Sequence, residues 1–529
     1  MKRRHLLRLG GAAAAASSLP RIAIGQSASN TVLKFVPQAN LTSLDPIWTT
    51  ASVTENHAYA VYDTLFAVNS KIEPQPQMAE GYTVSDNGRT YLIKLREGLK
   101  FHNGEPVRAQ DCAPSLQRWA ARDTFGQTLA KFVDTWGAQD DKTVKIVLKS
   151  PFPLLIDALA KPAANEPFVM PEHIAKTDPM QQIKETIGSG PFRFVAKDWV
   201  PGSSAAYEKF DDYVPRQEPS DWASGGKVAH FKRVEWKIIP DASTAAAALQ
   251  AGEVDWWEQV EADLVPLLKR NQALKVGLAN PTGYMGVMRF NELFPPFNDA
   301  RIRRAVMVSV NQDDYMRAVT GNDPSAYKIC KALFPCGTPF GTQVGASEMQ
   351  GDVALGRKLL QEAGYAGQKV AIINPTDFPS IGPFGEVTYD LLKNKLGMNA
   401  ELQETDWGTV VQRRASKNPV DQGGWSIFHT WWPSDSILNP VLSAIVRGQG
   451  ASGWFGWFSN AEIEHLTSDF LRAKDQPSRL KITDAIQKEA FRQAPTVPLG
   501  LFYIRNGYQA NLSHMLESQA PFFWSVRRA

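Results

Sequence analysis

The chain lacks a long apolar segment and has few cysteines. No stretch approaches the roughly 20 apolar residues that a bilayer-spanning helix needs, so we expect no transmembrane helix. The three cysteines among 529 residues are Cys112, Cys330 and Cys336. In an oxidising compartment the last two, with five residues between them, can close a small loop. We therefore predict a Cys330–Cys336 disulfide and a buried, helical Cys112 that behaves as a small hydrophobe.

The sequence also lacks the motifs of common catalytic sites. Its eight histidines form no H-E-x-x-H motif and no pair four residues apart, so a helical zinc site has no support. G-x-S-x-G and Walker A motifs do not occur. One G-x-G-x-x-G lies at residues 448–453, but the tryptophan-rich stretch after it is a poor helix start, so we expect a loop there. These absences predict no catalytic residue, no metal and no cofactor.

The N-terminus has the pattern of an export signal. The basic region Met1–Arg8 precedes an uncharged, alanine-rich stretch, Leu9–Pro20, and small residues follow at Ala23–Gly25. Adjacent arginines favour the twin-arginine route, so we assign residues 1–28 to a cleaved signal of that type and expect a periplasmic protein. Without this segment 52 basic and 54 acidic residues remain, which gives no reason to expect nucleic acid or anionic lipid as a partner.

The length and the pattern of the mature chain predict two or more α/β domains. About 500 residues exceed what one hydrophobic core organises. Short strand-like stretches alternate with amphipathic helices, and an Asn-Gly turn at residues 87–88 predicts a β-hairpin over residues 81–95. The predicted helices are Asp111–Arg122, Ala242–Ala251, Asp299–Val310, Asp352–Ala363, Val387–Leu396 and Ser478–Gln493.

Tryptophan is abundant, with 15 residues that cluster late in the chain and at Trp256-Trp257. Flat, rigid side chains with one polar atom suit a pocket that encloses an organic solute, although core packing is the ordinary role of any single tryptophan. Trp431 and Trp432 differ from the rest, because neighbours in a strand point to opposite faces. We therefore expect at least one of these two to face a cleft or solvent.

Several ordered motifs resemble the peptide-type (family 5) substrate-binding proteins of bacterial ABC importers. They are Leu44-Asp45-Pro46, Val61–Phe66, Leu95–Val107, Gly188–Phe192, Ile238–Thr244, Leu249–Asp255, Phe290-Asn291, Pro295–Phe297, Arg301–Ala305 and Leu359–Tyr365. They span nearly all of the mature chain, so the match is specific.

The resemblance implies a two-lobed α/β binding protein of the class II, or cluster C, type. It implies a hinge, an additional subdomain in the first lobe and closure around a solute that a membrane permease then receives. We expect the first lobe over residues 29–280, with its subdomain at about 68–187, the second lobe over 281–497, and a return to the first lobe over 498–529. The X-Pro step at Val497-Pro498 motivates the return point. The protein is expected to be a monomer.

One segment departs from the peptide-binding pattern of the family. In peptide-binding members of the family, an aspartate shortly after a Gly-Trp strand pairs with the ammonium group of the peptide. In this chain the segment Gly424–Asp435 has a histidine and two tryptophans at that place, and Asp435 follows several residues later. We expect this segment to line the cleft and ligand selection to differ from that of ordinary dipeptide binders. Glutathione-like molecules, modified peptides, sugars, opines and a metal chelate remain open.

The candidate ligand-binding residues follow from these arguments. Tryptophans would enclose the solute, an arginine would meet a carboxylate, and Asp435 or His429 would meet a donor. The candidates are Trp257, Arg289, Trp407, His429, Trp431, Trp432 and Asp435. The alternative from another class is a periplasmic hydrolase or chaperone on the same lobes, which the missing nucleophile–base motifs disfavour.

Overall fold

The computed structural model describes residues 31–162, 164–321 and 323–529. The predicted export signal, residues 1–28, lies outside these ranges and stays a prediction. Within the described residues no helix is long and apolar enough to cross a membrane.

The strands of the described chain are numbered in sequence order. They are β1 (Val32–Val36), β2 (Asp63–Thr64), β3 (Phe66–Val68), β4 (Pro74–Pro76), β5 (Ala79–Ser85), β6 (Thr90–Leu95), β7 (Val133–Asp140), β8 (Thr143–Leu148), β9 (Phe168–Val169), β10 (Phe192–Phe194), β11 (Ser204–Lys209), β12 (Arg233–Lys237), β13 (Trp256–Val260), β14 (Leu274–Leu278), β15 (Tyr284–Phe290), β16 (Tyr327–Lys328), β17 (Val370–Pro375), β18 (Ala400–Thr405), β19 (Ile427–Pro433), β20 (Thr496–Phe502), β21 (Arg505–Gln509), β22 (Leu512–Ser513) and β23 (Arg527–Arg528).

The α-helices are numbered in the same way. They are α1 (Ser52–Val61), α2 (Ala109–Arg122), α3 (Thr124–Phe132), α4 (Leu155–Leu159), α5 (Glu172–Ala175), α6 (Ala242–Gln250), α7 (Val265–Lys269), α8 (Ala300–Ser309), α9 (Gln312–Thr320), α10 (Val353–Glu362), α11 (Gly382–Tyr389), α12 (Trp407–Arg413), α13 (Ala461–Arg472) and α14 (Gln476–Gln493). Cys112 is buried in α2, as the sequence predicts.

Two mixed sheets organise the chain. The first has the order β10-β11-β12-β1-β13-β21-β14, and the second has the order β16-β20-β15-β19-β17-β18. We call the parts built around them the first lobe and the second lobe. A four-stranded antiparallel sheet, β5-β6-β8-β7, lies within the predicted subdomain, and its β5–β6 hairpin turns at Asn87 and Gly88, both with positive φ.

The chain passes between the two sheets twice. It leaves the first sheet after β14 and enters the second at β15; it leaves the second after β20 and re-enters the first at β21. The two crossings lie side by side, because the Ala279 N–H donates to the Ile504 carbonyl at 3.0 Å. The return therefore follows Phe502 rather than residue 498. Pro498 stands inside β20, opposite Val287, where a register shift in β15–β20 pairing accommodates a residue without an N–H.

The sulfur atoms of Cys330 and Cys336 lie at bonding distance, 2.10 Å, with their Cα atoms 5.8 Å apart. This is the pairing that the sequence predicts. The disulfide closes the loop after β16 in the second lobe.

Candidate functional site

Two cavities lie between the lobes. The larger has a volume of about 880 Å³ and is lined by the segments after β1, β13 and β17. The smaller has a volume of about 290 Å³. Its lining includes Trp48, Thr50, Thr124, Lys161, Ala164 and Asn165 from the first lobe, and Trp432, Leu442, Trp454, Phe455 and Trp457 from the second.

The larger cavity is lined by charged side chains that reach water. Asp263, Lys269, Glu386 and Glu404 line it and are all exposed. Trp257, one of the predicted site residues, lies in its wall. These exposed charges are already solvated, and of the buried polar residues in the wall Asn374 has an amide oxygen without a partner among the residues described.

The smaller cavity has an aromatic wall contributed by the second lobe. Trp432, near the end of β19, meets Trp454 edge to face, with ring centroids 5.3 Å apart. Trp454 in turn meets Phe428 at 5.5 Å. These rings are buried, so they supply a rigid apolar surface against which an organic solute can pack.

Three buried carboxyl groups do not line the smaller cavity themselves but lie close to residues that do, and we call them the acidic cluster: Glu55, Glu166 and Asp435. Their residues are 5 %, 1 % and 0 % exposed. Glu55 belongs to α1, and the backbone of Ala164, in the cavity wall, hydrogen bonds to its carboxyl group. Glu166 follows the lining residue Asn165, and Asp435 comes three residues after Trp432. Segments from both lobes therefore bring the cluster together.

Burial determines how these groups ionise. It raises the pKa of Asp435 to about 7, although the Ser436 backbone and the Asn280 amide partly oppose the shift. It also raises the pKa of Glu55 well above its ordinary value, and repulsion from Glu166 and Asp435 adds to the effect. The pKa of Glu166 is raised as well, again by burial, while Lys161 and the Tyr59 hydroxyl act in the other direction.

The acidic cluster holds acceptor atoms without partners. Within the described chain, both carboxylate oxygens of Asp435, one of Glu55 and one of Glu166 accept no well-formed hydrogen bond, although the Ser436 backbone and the Asn280 amide lie near enough to Asp435 to act on its charge. Among the residues described, the Trp432 indole N–H also has no acceptor, and the Ser434 hydroxyl has no hydrogen-bond partner. Since buried polar groups in folded proteins are normally paired, such a concentration of unpaired atoms from two lobes indicates a place where a polar solute binds.

Hydrogen bonds hold the two lobes against each other. Ser380 of the second lobe donates to Gln259 of the first at 2.9 Å, and Gln259 donates to Gln38 at 2.5 Å. On another side, Arg447 donates to the Thr124 carbonyl and the Thr128 hydroxyl. The lobes are therefore in contact both at the larger cavity, through Ser380, Gln259 and Gln38, and at the smaller one, through Thr124.

The predicted site residues divide between the interlobe region and the interior of the second lobe. Trp257 lines the larger cavity, Trp432 lines the smaller one and Asp435 belongs to the acidic cluster. Trp431 and Trp407 are buried against Phe378, which lines the larger cavity, with ring centroids 6.0 and 5.1 Å from it. The Trp431 indole donates to Ser380 at 3.0 Å and so supports an interlobe contact.

His429 and Arg289 lie inside the second lobe instead. The Nε2 atom of His429 pairs with the Thr388 hydroxyl at 2.8 Å, and burial lowers the histidine pKa to about 3. Arg289 donates to the carbonyl groups of Phe455 and Ile445 and to the Thr496 hydroxyl. Both are fully buried inside the lobe, and apart from the unpaired Nδ1 atom of His429 their polar groups bond to neighbours of the same lobe, so their surroundings favour packing roles over contact with a solute.

Sequence reasoning missed three residues beside the smaller cavity: Glu55, Glu166 and Arg414. Glu55 and Glu166 are far apart in the chain, and neither belongs to a recognisable motif. Arg414 directly follows α12, and basic residues are common at the C-terminal ends of helices. Only the tertiary fold brings these charges into a buried space.

Comparisons with known proteins agree with this architecture. The model of "Bacterial extracellular solute-binding proteins, family 5 Middle" matches residues 73–452. The probable peptide ABC transporter periplasmic-binding protein y4tO of Sinorhizobium fredii is 36 % identical over the full length of both chains. The glutathione-binding protein GsiB of Pectobacterium atrosepticum is 27 % identical, over 87 % of this chain and 86 % of its own.

Solved structures show the same two-lobed fold. The binding protein AgaA of A. tumefaciens, in complex with agropinic acid, superposes with a TM-score of 0.78 at 21 % identity, over 94 % of this chain and 99 % of its own. The periplasmic binding protein DppA of Helicobacter pylori, in complex with the peptide STSA, gives a TM-score of 0.77 at 20 % identity, with 94 % and 98 % covered.

Proposed function

Since the chain belongs to family 5 of the bacterial extracellular solute-binding proteins, we propose that it captures a small peptide-like solute between its lobes. It delivers that solute to the permease of an ABC importer. It acts in the periplasm as a monomer that diffuses between the solute and the membrane.

The acidic cluster is the observation that carries this proposal. Three buried carboxyl groups with unpaired oxygens suit a ligand group that carries positive charge and several N–H donors, such as an ammonium group. A bound cation would pair with Asp435 and favour its ionised form, so binding and ionisation support each other. The solute would thereby bridge both lobes and stabilise their closed arrangement.

The smaller cavity suits a compact solute. Its volume of about 290 Å³ is at the lower end of the range for small-molecule sites. The indole rings of Trp432 and Trp454 would cover the apolar part of the solute, while the acidic cluster binds its cationic group. A dipeptide, a tripeptide or a molecule of similar size and charge fits this description.

The sequence argument against ordinary peptides rests on the position of Asp435 in its segment. Asp435 lies beside Glu55 and Glu166, so carboxylates are present where an ammonium group would need them. We therefore include peptides with a free amino terminus among the proposed solutes. That this protein selects different solutes from ordinary dipeptide binders stays a hypothesis, which calorimetric titration with dipeptides can test. Glutathione and opine-like solutes are candidates because similar proteins are named for glutathione or crystallised with agropinic acid.

We do not propose catalysis. The described chain does contain a hydroxyl–imidazole pair, Thr388 with His429. Both residues are completely buried in the second lobe, and the Thr388 hydroxyl also forms a hydrogen bond with the Tyr315 hydroxyl. A substrate cannot reach this pair without unfolding the lobe, so the pair is best understood as core packing. A hydrolase or chaperone therefore remains the less supported alternative.

Calorimetric titration tests the proposed function. Trialanine is titrated into the wild-type protein, and N-acetyltrialanine serves as the matched solute without an ammonium group. We expect trialanine to bind and the acetylated form to bind at least about tenfold more weakly, because a buried carboxylate would lose its partner. Asp435→Asn should remove most of this preference, whereas exposed Asp421→Asn should leave it unchanged. Equal binding of both peptides would overturn the assigned role of the cluster.

A further inference from the structure

A glycine-rich segment of the second lobe forms part of the wall of the smaller cavity. It covers residues 448–453, the G-x-G-x-x-G sequence that predicts a loop, and we call it the glycine loop. It contains one short 3₁₀ turn, Gly450–Ser452. Ala451, Ser452 and Gly453 line the cavity. The proposed function does not yet give this loop a role.

The exposed lining residues mark the mouth of the smaller cavity. Of all the residues that line it, those exposed to solvent are Met180, Lys417, Ala451 and Ser452. Two of these belong to the glycine loop, and Lys417 donates to the Ala451 carbonyl at 3.1 Å. The aromatic wall and the acidic cluster are buried instead. The glycine loop therefore separates the cavity from solvent at its mouth.

The two ends of the glycine loop are fixed to the second lobe. The Gly448 N–H donates to a carboxylate oxygen of Glu464 at 3.0 Å, and the Gly448 carbonyl accepts from the Asn460 N–H at 3.0 Å. A Cβ atom at Gly448 would lie 2.5 Å from the Asn460 carbonyl oxygen, so this end is tightly packed. Beyond the other end, the buried Trp454 packs on Phe428. Any movement of the loop is therefore confined to the residues between these ends.

Backbone hydrogen bonds shape the middle of the glycine loop. The Gly450 N–H donates to the Phe458 carbonyl at 2.8 Å, and the Gly453 N–H donates to the Gly450 carbonyl at 2.9 Å. Gly450 has a φ of +61°, which glycine adopts without the steric cost of a side chain. Backbone hydrogen bonds near solvent open locally at a small cost in free energy, far below that of global unfolding. The middle of the loop is therefore suited to local opening.

The first lobe holds the glycine loop through side-chain hydrogen bonds. Gln127, in α3, donates to the Ser452 carbonyl at 2.7 Å. Gln449, in the loop, donates to the Thr124 carbonyl in the first turn of α3, at the longer distance of 3.5 Å. Both bonds join neutral groups, and the shorter one ends on an exposed residue of the loop. The Gln127–Ser452 bond is therefore the stronger tether of the loop to the first lobe.

We propose that the glycine loop is a lid of the smaller cavity, which the Gln127–Ser452 hydrogen bond holds shut and whose opening releases the solute while the lobes stay together. The inference rests on the proposed function and adds a second moving part to it. Arg447 and Ser380 hold the lobes together through other atoms, so the tether can break while these contacts remain. Lids of enzymes open in microseconds to milliseconds and often limit the rate of release.

Hydrogen exchange of the solute-free protein tests whether the lid moves separately from the lobes. Peptides that cover residues 448–458 are compared with peptides that cover the crossing, where the Ala279 N–H donates to the Ile504 carbonyl. Gln127→Ala, and Gln127→Glu, which cannot donate to a carbonyl, should raise the exchange rate of the lid at least about threefold, because one neutral hydrogen bond is lost. Exchange at the crossing should stay unchanged.

Gln110→Ala is the matched control for the exchange experiment. Gln110 is a first-lobe glutamine whose side chain donates to Asp141, and it lines neither of the two cavities. This variant should exchange like wild type at the lid. An equal rise at the lid and at the crossing would mean that Gln127 merely joins the lobes, and it would overturn the inference. Unchanged lid exchange in both folded Gln127 variants would overturn it as well.

Stopped-flow tryptophan fluorescence with trialanine tests whether the lid retains the solute. The dissociation rate constant should rise at least about threefold in both Gln127 variants and match wild type in Gln110→Ala. The association rate constant should stay within about twofold, because solute enters before the lobes meet and the tether forms. An unchanged dissociation rate in variants with a faster-exchanging lid would overturn the inference. If wild-type protein does not bind trialanine, the proposed solute is wrong, and the exchange experiment then decides the inference alone.

Discussion

Replacing Asp435 by asparagine should stabilise the unliganded protein at alkaline pH. Burial raises the pKa of Asp435 from 3.8 to about 7. Because the folded state holds the proton more tightly than the unfolded state, the group contributes its full stability below about pH 4, and this contribution is lost as pH rises towards 7. Three pKa units correspond to about 4 kcal/mol. Asparagine keeps the shape of the side chain and cannot ionise.

The free energy of unfolding of both proteins, measured by urea titration between pH 5 and pH 8, tests this prediction. We expect Asp435→Asn to be more stable than wild type by up to about 4 kcal/mol at pH 8, and by less than about 2 kcal/mol at pH 5. The exposed control Asp421→Asn should show no gain that depends on pH. Solute must be removed first, because a ligand that binds only the folded state adds its own stabilisation.

Two results would refute this reasoning. A gain of the same size at pH 5 and pH 8 would mean that Asp435 does not change ionisation in this range. A loss of stability at pH 8 would mean that the carboxylate is paired in the unliganded protein. Either result would also weaken the argument that the acidic cluster is prepared to receive a cation.

Three further predictions concern the tryptophan pair and the disulfide. Trp432→Ala should lower trialanine affinity at least about tenfold in calorimetric titration, because it removes part of the cavity wall, and unchanged affinity would contradict this role. Trp431→Ala should instead destabilise the fold by roughly 3–5 kcal/mol in urea titration, since its ring packs on Tyr284 and Phe378; a smaller loss than in Trp432→Ala would contradict the assignment. Replacing both Cys330 and Cys336 by serine should cost roughly 2–3 kcal/mol of stability on the chain-entropy model, and free thiols in the exported wild-type protein would refute the pairing.

Local sequence patterns predicted many elements because their causes are local. The hairpin over residues 81–95 forms as β5 and β6 because an Asn-Gly pair adopts the positive φ that its turn requires. The helix predicted over Val387–Leu396 begins earlier, at Gly382, and its last turns widen from residue 390. Pro383, in the first turn, marks this earlier start, because proline is favoured at the first positions of a helix.

The cleft was harder to predict, because it depends on long-range packing. The alternation rule predicted that Trp431 or Trp432 faces a cleft or solvent, and Trp432 does line the smaller cavity, although both residues are only 6 % exposed. β19 is an interior strand of the second sheet, and all of its residues are buried. Side chains that point to either face of this strand are therefore covered by other parts of the protein. Glu55, Glu166 and Arg414 carried no local signal, since only the approach of the two lobes gives them a shared environment.

A crystal structure of the protein with trialanine, or with the solute that copurifies from the periplasm, tests the central claim most directly. Our account predicts the solute in the smaller cavity, with a cationic nitrogen within hydrogen-bonding distance of Asp435 and an indole face of Trp432 or Trp454 against its apolar part. A solute bound in the larger cavity beside Trp257, with the oxygens of Asp435 still unpaired, would contradict the account.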